Sequence, residues 1–272
     1  MLLYHYTNTA GMLGILRTRA LWATDVEYLN DSKELLYGRD EVVSALLEEA
    51  SRLNPDGLGG MTGDDDSNRA TIMASAAHSL TEEEHRSYWG PYVACFSEEG
   101  DLLSQWRGYA ASHGWALGFD LSALRDCAKS WTASERVVHK VVYGPAGIEG
   151  AVERVIARIA PEPTGHPGVK GDHRAHAVCR RELAFSKHPA FEEEHEWRLV
   201  IEQDGPAQPL DFREGPLGLT PYVTVNWPRE ALREVVVGPT ALPALQHTAM
   251  RRLLGEHGYG QVPVRVSEAP FR

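Results

Sequence analysis

What most limits the fold of this chain is the way its apolar residues are grouped. They come in short runs, "YVACFS", "WALGFD", "EWRLVIE", "YVTVNW", "REVVVG" and "VPVRV", of strand length and rich in β-branched and aromatic residues. Segments with helical spacing fall between them irregularly, and no glycine-rich phosphate loop leads from a strand into a helix. A doubly wound parallel sheet is therefore not expected, and the pattern fits an α+β fold. The 272 residues are enough for a full core, and one domain over 1–272 is the simplest division.

Read along the chain, "LLYHYT" alternates as a strand does. Met12, Ile15 and Leu16 then recur at helical spacing, and "ALWAT" is a second strand. Asn30 or Asp31 suits the cap of a helix running to Ala50, because each can accept from an orphan backbone N–H. Residues 51–66, rich in Gly, Asp, Pro and Ser, read as a mobile loop. Helices are expected over 67–88, 148–160, 173–187 and 241–257, with a shorter one in "DLLSQWRGYA". A strand is expected over 136–144, a second loop over 161–172, and turns at Gly108 and Gly114.

Composition excludes several classes. A formal charge of -11 argues against broad affinity for nucleic-acid phosphates, which comes from neutralising Lys and Arg. No apolar run approaches the roughly 20 residues of a membrane span, and the start shows neither a basic n-region nor a cleavage site, so no secretory leader is expected. The three cysteines, Cys95, Cys127 and Cys179, cannot all be paired, which suits a reducing compartment; a cytoplasmic protein is expected. Neither G-x-S-x-G nor G-x-x-x-x-G-K is present. His173, His176 and Cys179 lack a second ligand cluster, and Asp64, Asp65 and Asp66 lack the rest of a calcium loop, so no metal is expected.

Three stretches carry chemistry. Glu192–Glu194, His195 and Glu196 crowd carboxylates at the entrance to an apolar strand, where Glu194 and Glu196 would share a face. Such a pair can stabilise a cationic intermediate; a solvated acidic edge is the plainer explanation. In the segment 95–120, Trp106, Tyr109 and Trp115 lie near Ser97, Ser104, Gln105 and Arg107. That mixture can stack a planar ligand and bond its edges, although dense aromatics are more often core. His5, Tyr6 and Thr7 form the third group, and a lone strand histidine is usually a satisfied core residue.

The order of "YHYT", "YLNDSKE", "CFS", "QWRGYA", "HGWALGFD" and "EEHEWRLV" resembles the bacterial domain of unknown function 2971 family over residues 2–202. That layout in turn looks like a remote relative of the ADP-ribosyltransferases. The resemblance implies split antiparallel β-sheets flanked by helices and a cleft for NAD, used as substrate. His5, with Tyr6 and Thr7, would grip the adenosine ribose. Asn30, Ser97, Trp106, Arg107, Tyr109 and Arg198 would line the rest, the aromatics stacking on nicotinamide and the arginines meeting the pyrophosphate. Glu196 would stabilise the charge that develops on the ribose, and Glu194 would orient or deprotonate the acceptor. The implied activity is an NAD-dependent ADP-ribosyltransferase or NAD glycohydrolase with a protein or nucleic-acid acceptor. A toxin or phage-defence role with an antitoxin or immunity partner follows, and Glu196→Gln is expected to fold normally while losing rate. A non-catalytic nucleotide-sensing or protein-interaction module on the same fold is the competing expectation.

Overall fold

A computed structural model describes residues 1–29, 37–55, 65–81, 91–109, 113–129, 134–159, 169–203, 210–215 and 217–270. The order of elements is β1 (Leu2–Asn8), α1 (Thr9–Thr18), β2 (Ala20–Asp25), α2 (Arg39–Leu53), α3 (Asp65–Thr81), β3 (Tyr92–Ser97), α4 (Leu103–Tyr109) and β4 (Gly114–Asp120). It continues with α5 (Leu121–Lys129), β5 (Ser134–Lys140), β6 (Val142–Tyr143), α6 (Pro145–Arg158), α7 (Val169–Leu183), β7 (Ser186–Lys187) and β8 (Glu196–Gln203). Finally come β9 (Asp211–Gly215), β10 (Gly218–Asn226), β11 (Leu232–Val237), α8 (Pro243–Glu256) and β12 (Val264–Val266).

The fold is α+β, as the grouping of apolar residues predicts. Ten strands make one sheet that branches at β3. One edge of β3 lies along β8, which carries β5 on its far side. The other edge meets two strands at opposite ends: β1 at Ser97, and β2 at Tyr92 and Val93. From β1 the sheet continues through β4, β11 and β12, and from β2 through β10 and β9. The pairings are antiparallel except β11 with β12, and these ten strands form one forked, hydrogen-bonded sheet where the resemblance implied split sheets. The short pair β6 and β7 is parallel and separate.

The main core lies on one face of this sheet. Leu3, Leu117, Phe119, Val235, Val223 and Ile201 meet Met12, Ile15 and Leu16 of α1, Leu124 of α5, and Met250 and Leu254 of α8. A second cluster is helical, built by Val42 and Leu46 of α2, Met73 of α3, Val155 of α6 and Cys179 of α7. Several boundaries differ from the sequence expectation. Helix α2 starts at Arg39 because Gly38 takes the left-handed conformation (φ 84°), which does not continue a helix. Residues 51–53 end α2 and residues 65 and 66 open α3, so 51–66 is not all loop; Asn30, Asp31 and the central part of that loop lie outside the described residues. Residues 169–172 belong to α7, which ends at Leu183, and 136–144 divides into β5 and β6 at the buried Val141. Gly108 is helical and Gly114 opens β4. Strand β9 was not expected.

Among the described residues no helix is long and apolar enough to cross a membrane, and no group of three His, Cys, Asp or Glu side chains is placed to hold a metal. Cys95 and Cys179 are free thiols.

Where β2 ends, Asp25 accepts from the Glu27 N–H at 3.0 Å and lies 3.9 Å from Arg180. Burial pushes its carboxyl up to about 6, although the Glu27 N–H and Arg180 pull the other way. The folded state therefore holds this proton more tightly than the unfolded chain. The Asp25 contribution to stability falls as pH rises from 3.8 to about 6, and the full cost remains above that. Asp25→Asn, which keeps the accepting oxygen, is expected to stabilise the protein by about 1–3 kcal/mol at pH 7.5 and by nothing near pH 3.5. Urea denaturation at the two pH values checks it.

Candidate functional site

The fork in the sheet makes the site. Strand β1 runs its full length along β4, and β3 its full length along β8, so β1 and β3 share only the pair Tyr4 and Ser97. Where they part, a cleft opens that is lined from β1, β3, α4 and the entrance to β8. His5, Tyr6, Tyr109, Glu194 and Glu196 all line it, together with Gln105. A water molecule's centre can move within about 60 Å³ of it.

His5 bridges the parting strands. Its Nδ1 lies 2.9 Å from the Cys95 carbonyl oxygen, and since a carbonyl only accepts, Nδ1 carries the proton and donates. The neutral ring then keeps an accepting lone pair on Nε2. Burial lowers the His5 pKa, the Cys95 carbonyl opposes this and Arg213 adds to it, so the ring is uncharged at neutral pH. The strand histidine thus does what backbone pairing does elsewhere in the sheet.

The carboxylates sit in a buried ion cluster. Arg198 grips Glu196 with Nε to Oε1 at 2.7 Å and Nη2 to Oε2 at 2.9 Å. Lys187 Nζ reaches Glu196 at 2.9 Å and Glu194 at 2.7 Å. Burial opposes the Glu196 charge, but Arg198 and then Lys187 outweigh it and hold the carboxyl well below the usual carboxylate range, with Cys95 donating to it as well. Burial and the Glu196 charge in turn keep the Cys95 thiol protonated. Tyr143 accepts from the Glu196 N–H at 2.8 Å. Glu194 is not on the strand: it closes a 3₁₀ turn over Pro189–Glu194, and His195 follows in the left-handed conformation at φ 44°. That conformation interrupts strand alternation, and Lys187 brings the two carboxylates together instead.

Tyr109 and Gln105 lie one helical turn apart on α4, hence on one face. Neither side chain has a hydrogen-bond partner among the described residues. The Tyr109 residue is 38% exposed, but desolvation of its hydroxyl at the cleft, then Cys95 and the two carboxylates, raise its pKa, so the hydroxyl stays a donor.

Other expected ligand contacts are already engaged inside the protein. Trp106 is 3% exposed, donates Nε1 to Asp101 at 2.7 Å and packs edge-on against Tyr6, so it cannot stack on a ligand. The Ser97 hydroxyl, also buried, donates to the Glu194 carbonyl and accepts from the Glu99 N–H. Arg198 is buried, also donates Nη1 to the Ala184 carbonyl at 2.8 Å, and does not line the cleft. Arg107 is exposed on α4 and, like Thr7, does not line the cleft. Asn30 lies outside the described residues. Tyr6 lines the cleft, but its hydroxyl donates to the Glu99 carbonyl at 2.7 Å and accepts from the Leu102 N–H at 2.9 Å. It ties down the turn that carries α4. Tyr6→Phe is expected to cost about 1–3 kcal/mol in urea denaturation, because both backbone groups lose a buried partner.

Sequence reasoning missed Lys187, which reads as the polar end of a helix. Its only signal is position: a single lysine closing the apolar run "LAFSK" shortly before the acidic cluster.

Residues 105–199 match the family model described as a protein of unknown function, DUF2971. The match covers that segment and not the whole chain. It extends from Gln105 on α4 to Leu199 on β8, and so contains Tyr109, Lys187, Glu194, Glu196 and Arg198 while leaving His5 outside. No curated protein and no solved structure matches the chain.

Proposed function

We propose that the cleft binds the nicotinamide end of NAD, breaks the bond between nicotinamide and ribose, and passes ADP-ribose to a macromolecular acceptor or to water. One observation carries this reading: His5, Tyr109 and the pair Glu194 and Glu196, from three separate parts of the chain, meet where β1 leaves β3, and the Glu196 carboxyl is held ionised. In the reaction the electron pair of the glycosidic bond leaves with neutral nicotinamide, and positive charge develops on the ribose. Glu196 and Glu194 supply fixed negative charge against it, in a site where part of the water is excluded. The attacking hydroxyl loses its proton as its bond to the ribose carbon forms, and His5 Nε2 is a lone pair suited to take it. Tyr109 is free to donate to the ligand.

A second reading, a nucleotide-sensing or protein-interaction module without catalysis, is favoured by the engagement of both Glu196 oxygens with Arg198 and Lys187. A carboxylate so held has little accepting capacity left for a ribose hydroxyl. Calorimetry with NAD, run while nicotinamide is followed in the same solution, separates the two. Heat with release supports cleavage; heat without release supports the module; no heat removes NAD as the ligand and with it the cleavage reading.

A further inference from the structure

The cleft is uneven in charge and in satisfaction. The carboxylates of Glu194 and Glu196 line it, and among the described residues no Lys or Arg does. Lys187 and Arg198 stand behind Glu196 and bond to it. Among the described residues, three cleft groups have no protein partner and all are neutral: the Gln105 carboxamide, the Tyr109 hydroxyl and the Nε2 lone pair of His5. Gln105 is the most constrained of them. Its residue is only 7% exposed, it lines the cleft, and its amide has no hydrogen bond to any described residue while remaining open to the cleft. Buried carboxamides are ordinarily bonded, so this one is set for a ligand or for water.

A carboxamide has one accepting oxygen and two N–H donors in a plane. A second primary carboxamide presents the complementary edge, and the two can form a pair of antiparallel N–H···O bonds. A carboxylate offers no donor to the Gln105 oxygen and brings a negative charge toward Glu194 and Glu196.

We propose that Gln105 selects the ligand of this cleft by pairing with an uncharged primary carboxamide, and that a carboxylate in the same place is refused. Recognition by a buried polar group discriminates strongly, because the wrong ligand leaves that group unpaired. The inference rests on the cleft being a ligand site, as proposed above, but not on cleavage of NAD.

The test is titration calorimetry at pH 7.5 with nicotinamide and with nicotinate as probes, on the full chain. The wild type is expected to bind nicotinamide at least about tenfold more tightly than nicotinate. In Gln105→Met, of similar length but without the amide, nicotinamide binding is expected to fall at least about tenfold and the preference to vanish. If that variant does not fold, Gln105→Asn, which withdraws the amide by one methylene, is put through the same comparison. Equal binding of both probes by the wild type, a preference unchanged in the folded variant, or no nicotinamide binding at all would each overturn the assignment. Nicotinamide bound with this preference by a protein that never cleaves NAD supports it and sinks only the proposed reaction.

Discussion

Lys187→Met is expected to destabilise the protein by about 3–5 kcal/mol at pH 7.5, the scale for removing one partner of a buried ion pair. Lys187 is 2% exposed and bonds two carboxylates at once, so its loss leaves Glu194 facing Glu196 with Arg198 as the main counter-charge to Glu196 among the described residues. Cys95 on β3, Tyr143 on β6 and Tyr109 on α4 also face the pair, and none brings positive charge. Two neighbouring carboxylates without their shared cation raise each other's affinity for a proton. The deficit is therefore largest at neutral pH and shrinks as one carboxyl takes up a proton in acid. In the wild type the sign is opposite: the Glu196 pKa lies below its unfolded value, so its stabilising contribution is full above about pH 4.5 and is lost as pH falls through the lowered pKa. Urea denaturation of both proteins between pH 3 and pH 7.5 measures this. A variant as stable as the wild type throughout would show that the cluster is not held by Lys187.

Glu196→Gln is expected to lose at least about a hundredfold in the rate of nicotinamide release, the scale for removing a group that stabilises charge in the transition state. The sequence alone suggested that this variant folds normally. The ion cluster corrects that: a neutral amide leaves Arg198 and Lys187 short of one negative charge in a buried place, so the melting temperature is expected to fall too. Rates belong at a temperature where both proteins are folded. A folded variant with undiminished turnover would take Glu196 out of the reaction.

The strands were legible because their alternation and composition are local. "WALGFD" and "EWRLVIE" became β4 and β8 with boundaries moved by a residue. The fork was not legible, since it depends on which strand lies beside β3, and nothing in "LLYHYT" says that it abandons β3 after one pair. Hence the role of His5 as a bridge to the Cys95 carbonyl was visible only in the fold, although its place in the cleft was anticipated. Glu194 and Glu196 were expected together by strand alternation and are together through Lys187, a residue from another element. Trp106 and Arg198 show the opposite failure. Residue type suggested ligand contact, but an indole and a guanidinium serve equally well to fill a core and to neutralise a buried carboxylate. Only burial and partners distinguish these uses.

The central claim is that the cleft at the fork of the sheet cleaves NAD. Its most direct test is the release of nicotinamide from NAD by the purified wild-type protein, with and without a cell extract as source of acceptor. Release that follows the concentration of folded protein is the predicted result. NAD that stays intact under both conditions, while it binds measurably, would contradict the claim and leave the cleft a binding site.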